Sequence, residues 1–99
     1  MNNIAFILET HKAVKKDLKK ISPKAAKEIV NKVLPHILEN SSVGIPLVGI
    51  LKGYFKFEFH YQGVSYRIAY QIDRKMKIVF IIAVGSREKI YERLMRRIS

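Results

Sequence analysis

Glu58, His60 and Arg67 place a carboxylate, an imidazole and a guanidinium in one short stretch of chain, and Arg87 and Tyr91 follow near its end. These side-chain types suit phosphoryl transfer, and metal-free RNA cleavage in particular. In that reaction a base takes the proton of a ribose 2′-hydroxyl, which attacks the adjacent phosphate. Arginine forks match phosphate oxygens and stabilise the charge that gathers on them. An acid protonates the leaving 5′-oxygen, while an aromatic ring stacks on a base and holds the backbone in line. Each residue also has a plainer role open to it. Glu58 can be a cross-strand ion-pair partner of Arg67 or Lys56, His60 a half-exposed strand histidine, Arg87 a first-turn residue and Tyr91 a core aromatic. A cation in the first turn of a helix opposes the helix dipole, which favours a functional role for Arg87.

The elements that must position these groups are legible as alternation. Phe55, Phe57, Phe59 and Tyr61 share one face of a strand, leaving Lys56, Glu58 and His60 on the other. In the next strand Tyr66, Ile68, Tyr70 and Ile72 form the apolar face, opposite Arg67, Ala69 and Gln71. Matching the apolar faces fixes the register to within a two-residue slip. The shortest fit turns through Gln62–Ser65 and pairs Tyr61 with Tyr66, so His60 faces Arg67 with Glu58 diagonal to it. The same matching in a third strand, Lys77–Val84, sets Ala83 roughly opposite Arg67. A last helix from about Arg87 to Arg97 puts Arg87 and Tyr91 on one helix face. Glu58, His60, Arg67, Arg87 and Tyr91 are then expected to line one concavity.

Ile4, Phe6 and Leu8 alternate as a short first strand. Thr10 is placed to cap a helix over about 11–20, with Val14, Leu18 and Ile21 at helical spacing. Ser22-Pro23 starts a second helix, serine as cap and proline at the first position. Its buried stripe reads Ala26, Ile29, Val30, Val33, Leu34 and Ile37, and Pro35 predicts a kink or an end near Leu34. Residues 40–49 read as a loop. The fold class is therefore α+β: a small antiparallel sheet in the order β-α-α-β-β-β-α, with two N-terminal helices on one face and a short C-terminal helix. Ile78–Val84 is apolar on both faces and should be covered on both sides. Periodicity leaves open which sheet edge takes the first strand.

Ninety-nine residues allow one small domain, 1–99, with one core. The formal charge of +11, from 19 basic against 8 acidic residues, self-repels, and a polyanion would relieve it. Lys12, Lys15, Lys16, Lys19 and Lys20 crowd the early helices and read together as a surface that tracks phosphates without reading sequence. Lys52 and Lys56, beside the hairpin, join them as RNA-binding candidates. The chain has no cysteine, which suits a reducing cytoplasm. Neither a signal peptide nor an apolar run of membrane-spanning length is present, so no membrane partner is expected. His11, His36 and His60 lack metal-ligand spacing. Phosphate-binding glycine motifs and a nucleophile elbow are missing, and no metal or cofactor is expected.

Leu51-Lys52-Gly53 before the hairpin, Tyr66-Arg67-Ile68-Ala69-Tyr70-Gln71, Ile82-Ala83-Val84-Gly85-Ser86-Arg87, Tyr91 and the basic ending Arg96-Arg97-Ile98 resemble the RelE/ParE superfamily of bacterial toxin–antitoxin toxins. The RelE branch is the more similar. Over the first 50 residues the agreement is in helix layout alone. The resemblance implies a ribosome-dependent endoribonuclease that cuts mRNA in the decoding site by 2′-hydroxyl attack without a metal. It implies that Arg67 and Arg87 contact the scissile phosphate and that Tyr91 stacks on a base or assists proton transfer. Glu58 and His60 stand where RelE carries lysines; relatives with a glutamate base make Glu58 the general base and His60 the acid or second base. The lysine-rich helices would bind ribosomal RNA. A cognate antitoxin, acidic in its binding segment, would hold the toxin inactive and carry operator DNA binding for the pair. The alternatives are a gyrase-directed inhibitor of the ParE branch and a non-catalytic basic module that binds RNA or antitoxin.

Overall fold

The structure, a computed structural model, describes residues 5–99. Ile4, read as part of the first strand, lies outside the described residues. The elements are β1 (Ile7–Thr10), α1 (Val14–Lys19), α2 (Pro23–Glu28), a π-helical turn (Ile29–Val33), α3 (Leu34–Glu39), β2 (Ile45–Pro46), β3 (Tyr54–Tyr61), β4 (Val64–Asp73), β5 (Ile78–Ser86) and α4 (Ile90–Ile98). The strands form one sheet in the order β1-β5-β4-β3-β2. The expected antiparallel meander is β3-β4-β5, and β1 joins it parallel to β5. That settles the edge question: β1 extends the sheet beyond β5.

Local chemistry explains where the helices begin and bend. Thr10 does not cap a helix; it is the last residue of β1. The chain turns through His11, whose Nδ1 accepts the Ala13 N–H at 3.0 Å, and α1 starts three residues later than Thr10 alone suggests. Ser22 caps as expected, its Oγ accepting the Ala25 N–H at 3.3 Å with Pro23 at the first helical position. Pro35 neither ends the helix nor leaves it regular. One turn ahead, the Leu34 N–H reaches back to the Ile29 carbonyl in π geometry, and this widened turn accommodates the proline ring. The buried stripe is Ala25, Ile29, Val33, Leu34 and Ile37, whereas Val30 is 48% exposed.

The sheet is covered on both sides. Ile29, Val33, Ile37, Tyr66, Ile68, Tyr70 and Val79 build the core under α1–α3, with the β3 phenylalanines packed against it. On the opposite face Ala69, Ile82, Ala83, Ile90 and Leu94 join α4 to β4 and β5. Strand β5 is thus buried on both faces, as its composition predicts. A bulge lets it serve both: Ala69 pairs with Ala83 and Tyr70 with Ile81, so Ile82 is the extra residue.

One buried cluster fixes α4. Past the end of β1, the outer edge of β5 lacks a strand partner, and side chains take over its backbone groups. Asp17 of α1, fully buried, accepts the Val84 N–H at 3.0 Å. Arg97 grips both Asp17 carboxylate oxygens, at 2.5 and 2.7 Å, and donates to the Ile82 carbonyl at 2.9 Å. Arg93 lies 3.4 Å from Asp17 and donates to the Val84 carbonyl at 2.6 Å. A Cβ at Gly85 would stand 2.8 Å from the Arg93 guanidinium, so the glycine leaves that arginine its path. These two arginines are structural cations, withdrawn from any polyanion surface.

Candidate functional site

The register sets the site, and it differs from the shortest fit. Gln62 and Gly63 both adopt positive φ, 50° and 80°, which makes a two-residue hairpin turn. Val64 and Ser65 therefore belong to β4, and Tyr61 pairs with Val64 rather than Tyr66. The correction is the two-residue slip that face matching cannot resolve. Glu58 now faces Arg67 directly and His60 faces Ser65. Across β5, Arg67 pairs with Gly85 and not with Ala83.

Three successive rungs of one sheet face result, about 7 Å apart. The first holds Lys56, Ala69 and Ala83; the second Glu58, Arg67 and Gly85; the third His60 and Ser65. Arg87 continues the third rung, its N–H donating to the Ser65 carbonyl at 3.3 Å. It lies in the turn ahead of α4, which starts at Ile90 rather than near Arg87. Arg87 and Tyr91 therefore do not share a helix face, and Arg87 is placed by the sheet register instead. It is exposed.

Ion pairs and hydrogen bonds tie part of this set together. The Arg67 Nη2 is 3.2 Å from Glu58 and the Lys56 ammonium is 3.5 Å from the same carboxylate oxygen. Lys56 also donates to the Tyr91 hydroxyl at 2.8 Å and stands 5.5 Å from the centre of its ring. Tyr91 is not a core aromatic: it is 36% exposed and reaches from α4 toward β3. His60 is exposed, with its Nδ1 2.9 Å from the Ser65 hydroxyl. Lys56, Glu58, Arg67 and Tyr91 thus form one contact chain, and His60 with Ser65 and Arg87 forms the adjoining row.

Arg67 is the unusual member. It is 8% exposed, and its Nε has no hydrogen-bond partner among the described residues. A buried unpaired donor costs roughly 1–3 kcal/mol. That nitrogen is itself shut off from solvent, so an arriving anion would meet the guanidinium at its terminal nitrogens and not at Nε. Sequence reasoning anticipated the ion pairs of Glu58 with Arg67 and Lys56, but missed the Lys56 contact with Tyr91 and Ser65 as the partner of His60. Alternation already placed Lys56 on the right face, but only the turn chemistry of Gln62-Gly63 brings Ser65 opposite His60.

Of the lysines expected to bind RNA, Lys12, Lys15, Lys16, Lys19, Lys20 and Lys52 are exposed; the Lys56 side chain, 19% exposed, is occupied by Glu58 and Tyr91. Among the described residues no cluster of three or more His, Cys, Asp or Glu is positioned to hold a metal ion, and no helix is long and apolar enough to cross a membrane.

A family model described as the ParE-like toxin of type II bacterial toxin–antitoxin systems matches residues 7–95. Among solved structures, the chain is similar to one in the RelBE2 toxin–antitoxin complex of Mycobacterium tuberculosis, at 26% identity over 85% of this chain and 100% of that one, with a TM-score of 0.70. A free arginine-substituted variant of the Escherichia coli toxin RelE superposes with a TM-score of 0.74 at 22% identity, covering 97% of this chain and 100% of that one. The E. coli DinJ–YafQ toxin–antitoxin complex gives a TM-score of 0.60 at 20% identity over 89% of this chain and 99% of that one. The last two likenesses show a shared fold. No curated protein matches the sequence.

Proposed function

The chain belongs to the ParE-like toxin family of type II bacterial toxin–antitoxin systems, and from that premise we propose that it is a metal-independent, ribosome-dependent mRNA endoribonuclease. The observation that carries this reading is the grouping of Arg67, paired with Glu58, with Tyr91, His60 and the exposed Arg87 along adjoining rows at one sheet face. A scissile phosphate would meet the terminal nitrogens of Arg67 in charge-assisted hydrogen bonds. Arg87, exposed on the next rung, supplies the second cation. Tyr91 stacks on a base beside the phosphate. Glu58 takes the 2′-hydroxyl proton once the phosphate competes for Arg67, and His60 protonates the leaving 5′-oxygen. Ser65, held to His60, orients that imidazole.

The exposed lysines of α1, with Lys52, would contact small-subunit ribosomal RNA and bring the site to A-site mRNA. Related toxins are solved with antitoxins, as in the RelBE2 and DinJ–YafQ complexes, and the +11 charge fits an acidic antitoxin for this chain too. Operator DNA would be reached through that antitoxin.

A gyrase-directed inhibitor is the second reading, favoured by the ParE-like description of the family. The row of Arg67, Arg87 and Tyr91 would then be idle, which weighs against it. The test uses purified ribosomes programmed with a short mRNA. Cleavage that stops when the nucleotide at the cut carries 2′-deoxyribose supports the nuclease. Intact mRNA with inhibited gyrase supports the other target.

A further inference from the structure

Tyr91 owes its place to α4, and the two flanks of that helix are held by different means. Underneath, Ile90 and Leu94 are buried against Ala69, Ile82 and Ala83 of the sheet. Two residues along a helix is a turn of about 200°, so Arg93, and Arg97 one turn further on, stand on the flank opposite Tyr91. On that flank Arg93 donates to the Val84 carbonyl at 2.6 Å and Arg97 to the Ile82 carbonyl at 2.9 Å, and both meet the buried Asp17 of α1. On the other flank Tyr91 reaches β3, its hydroxyl accepting from Lys56 at 2.8 Å. The helix lies across β4 and β5 as a lever, with its apolar stripe as the pivot.

We infer that Arg93 and Arg97 are positioning residues for Tyr91. They clamp one flank of α4 to Asp17 and to the edge of β5, and so set the roll of the helix and the stand of the ring beside the Arg67 row. This rests on the RNA-cleavage reading for the work of Tyr91, and it places control of the ring on side chains withdrawn from the substrate surface. The apolar stripe cannot set the roll alone, because hydrophobic contact is non-directional. The Arg97 fork can, since it holds both Asp17 oxygens and the Ile82 carbonyl at once. At the outer radius of a helix, about 5–6 Å, a roll of roughly 10° moves a side chain by about 1 Å. A misplacement of that size costs up to about a hundredfold in rate.

The experiment compares Arg97→Met and Arg97→Lys with Tyr70→Phe, which weakens the core on the sheet face away from α4. Through-space NMR contacts between the Tyr91 ring and the Lys56 methylenes should persist in Tyr70→Phe, shrink in Arg97→Lys and vanish in Arg97→Met. On programmed ribosomes Arg97→Met should lower kcat by about tenfold to a hundredfold with KM unchanged. In a Tyr91→Ala background the same change should cost less than about twofold, because the ring it positions is gone. Contacts retained in Arg97→Met, an unchanged kcat, or losses that multiply in the double variant would each overturn the positioning role. If Arg97→Met does not fold, Arg97→Lys, which keeps the charge and loses the fork, carries the same comparison. If the wild type does not cleave, the nuclease reading fails, and the Tyr91–Lys56 contacts alone decide whether the clamp sets the ring.

Discussion

Replacing Asp17 by asparagine should destabilise the protein more than any other single change of charge. The variant keeps the side-chain size and an acceptor for the Val84 N–H, but removes the charge that faces Arg93 and Arg97. Asp17 is fully buried, and the two arginine side chains are 11% and 14% exposed. Breaking a buried ion pair by neutralising one partner costs about 3–5 kcal/mol. Water reaches part of each guanidinium, so the lower end applies, about 3 kcal/mol. For a domain of this size that lowers Tm by roughly 12–24 °C. Thermal and urea unfolding followed by circular dichroism measures it, with Arg96→Met as a control at an exposed arginine, expected within about 0.5 kcal/mol of the wild type. The double substitution Asp17→Asn, Arg97→Met should show a coupling within about 0.5–3 kcal/mol. A loss below about 1 kcal/mol for Asp17→Asn, the range of exposed pairs, would refute the claim that this cluster anchors α4.

Other consequences can be checked alongside. Arg67→Lys keeps the charge beside Glu58 but loses the fork, so the protein should stay folded while cleavage falls by about a hundredfold; unchanged cleavage would remove Arg67 from the phosphate site. Gly44→Ala should destabilise by about 1–3 kcal/mol in denaturant, because its Cβ would collide with the Tyr70 hydroxyl and stand 2.9 Å from the ring carbon that bears it. The Tyr70 hydroxyl donates to the Ser41 carbonyl at 2.8 Å and accepts the Gly44 N–H at 2.9 Å. Burial holds this phenol above the ordinary tyrosine range, with the Gly44 hydrogen bond working in the other direction. A raised folded-state value means that the contribution is whole below the ordinary range and is lost as pH rises through the raised value. Tyr70→Phe should therefore cost about 1–3 kcal/mol at neutral pH, and the gap to the wild type should narrow in strongly alkaline solution; a gap that widens there contradicts the assignment.

Alternation carried most of the fold. The faces of β3 and β4, the double burial of β5, the Ser22-Pro23 helix start and the α+β order all follow from residue types at periods that sheets and helices impose. What alternation could not supply was register. A slip of two residues preserves every face, so only the positive φ of Gln62 and Gly63 decides that Glu58, and not His60, faces Arg67. The bulge at Ile82 is equally silent, because β5 is apolar at every position around it. Asp17 looked like one of the few acids on a lysine-rich helix. Its burial depends on Arg93 and Arg97, 76 and 80 positions away, and no local pattern carries that pairing. For the same reason the basic C-terminus reads as surface in the sequence while the fold spends two of its arginines inside.

Brief induction of the wild type and of Arg87→Ala in a bacterial host, with mRNA 5′ ends mapped in both, tests the nuclease reading most directly. Arg87 is exposed, and its tie to Ser65 runs through the backbone, so the variant should fold normally. New ends inside translated codons in the wild type, gone in the variant, are the predicted result. Growth arrest by the wild type with no new mRNA ends would contradict it and leave the Glu58–Arg67 pair as a feature of the sheet alone.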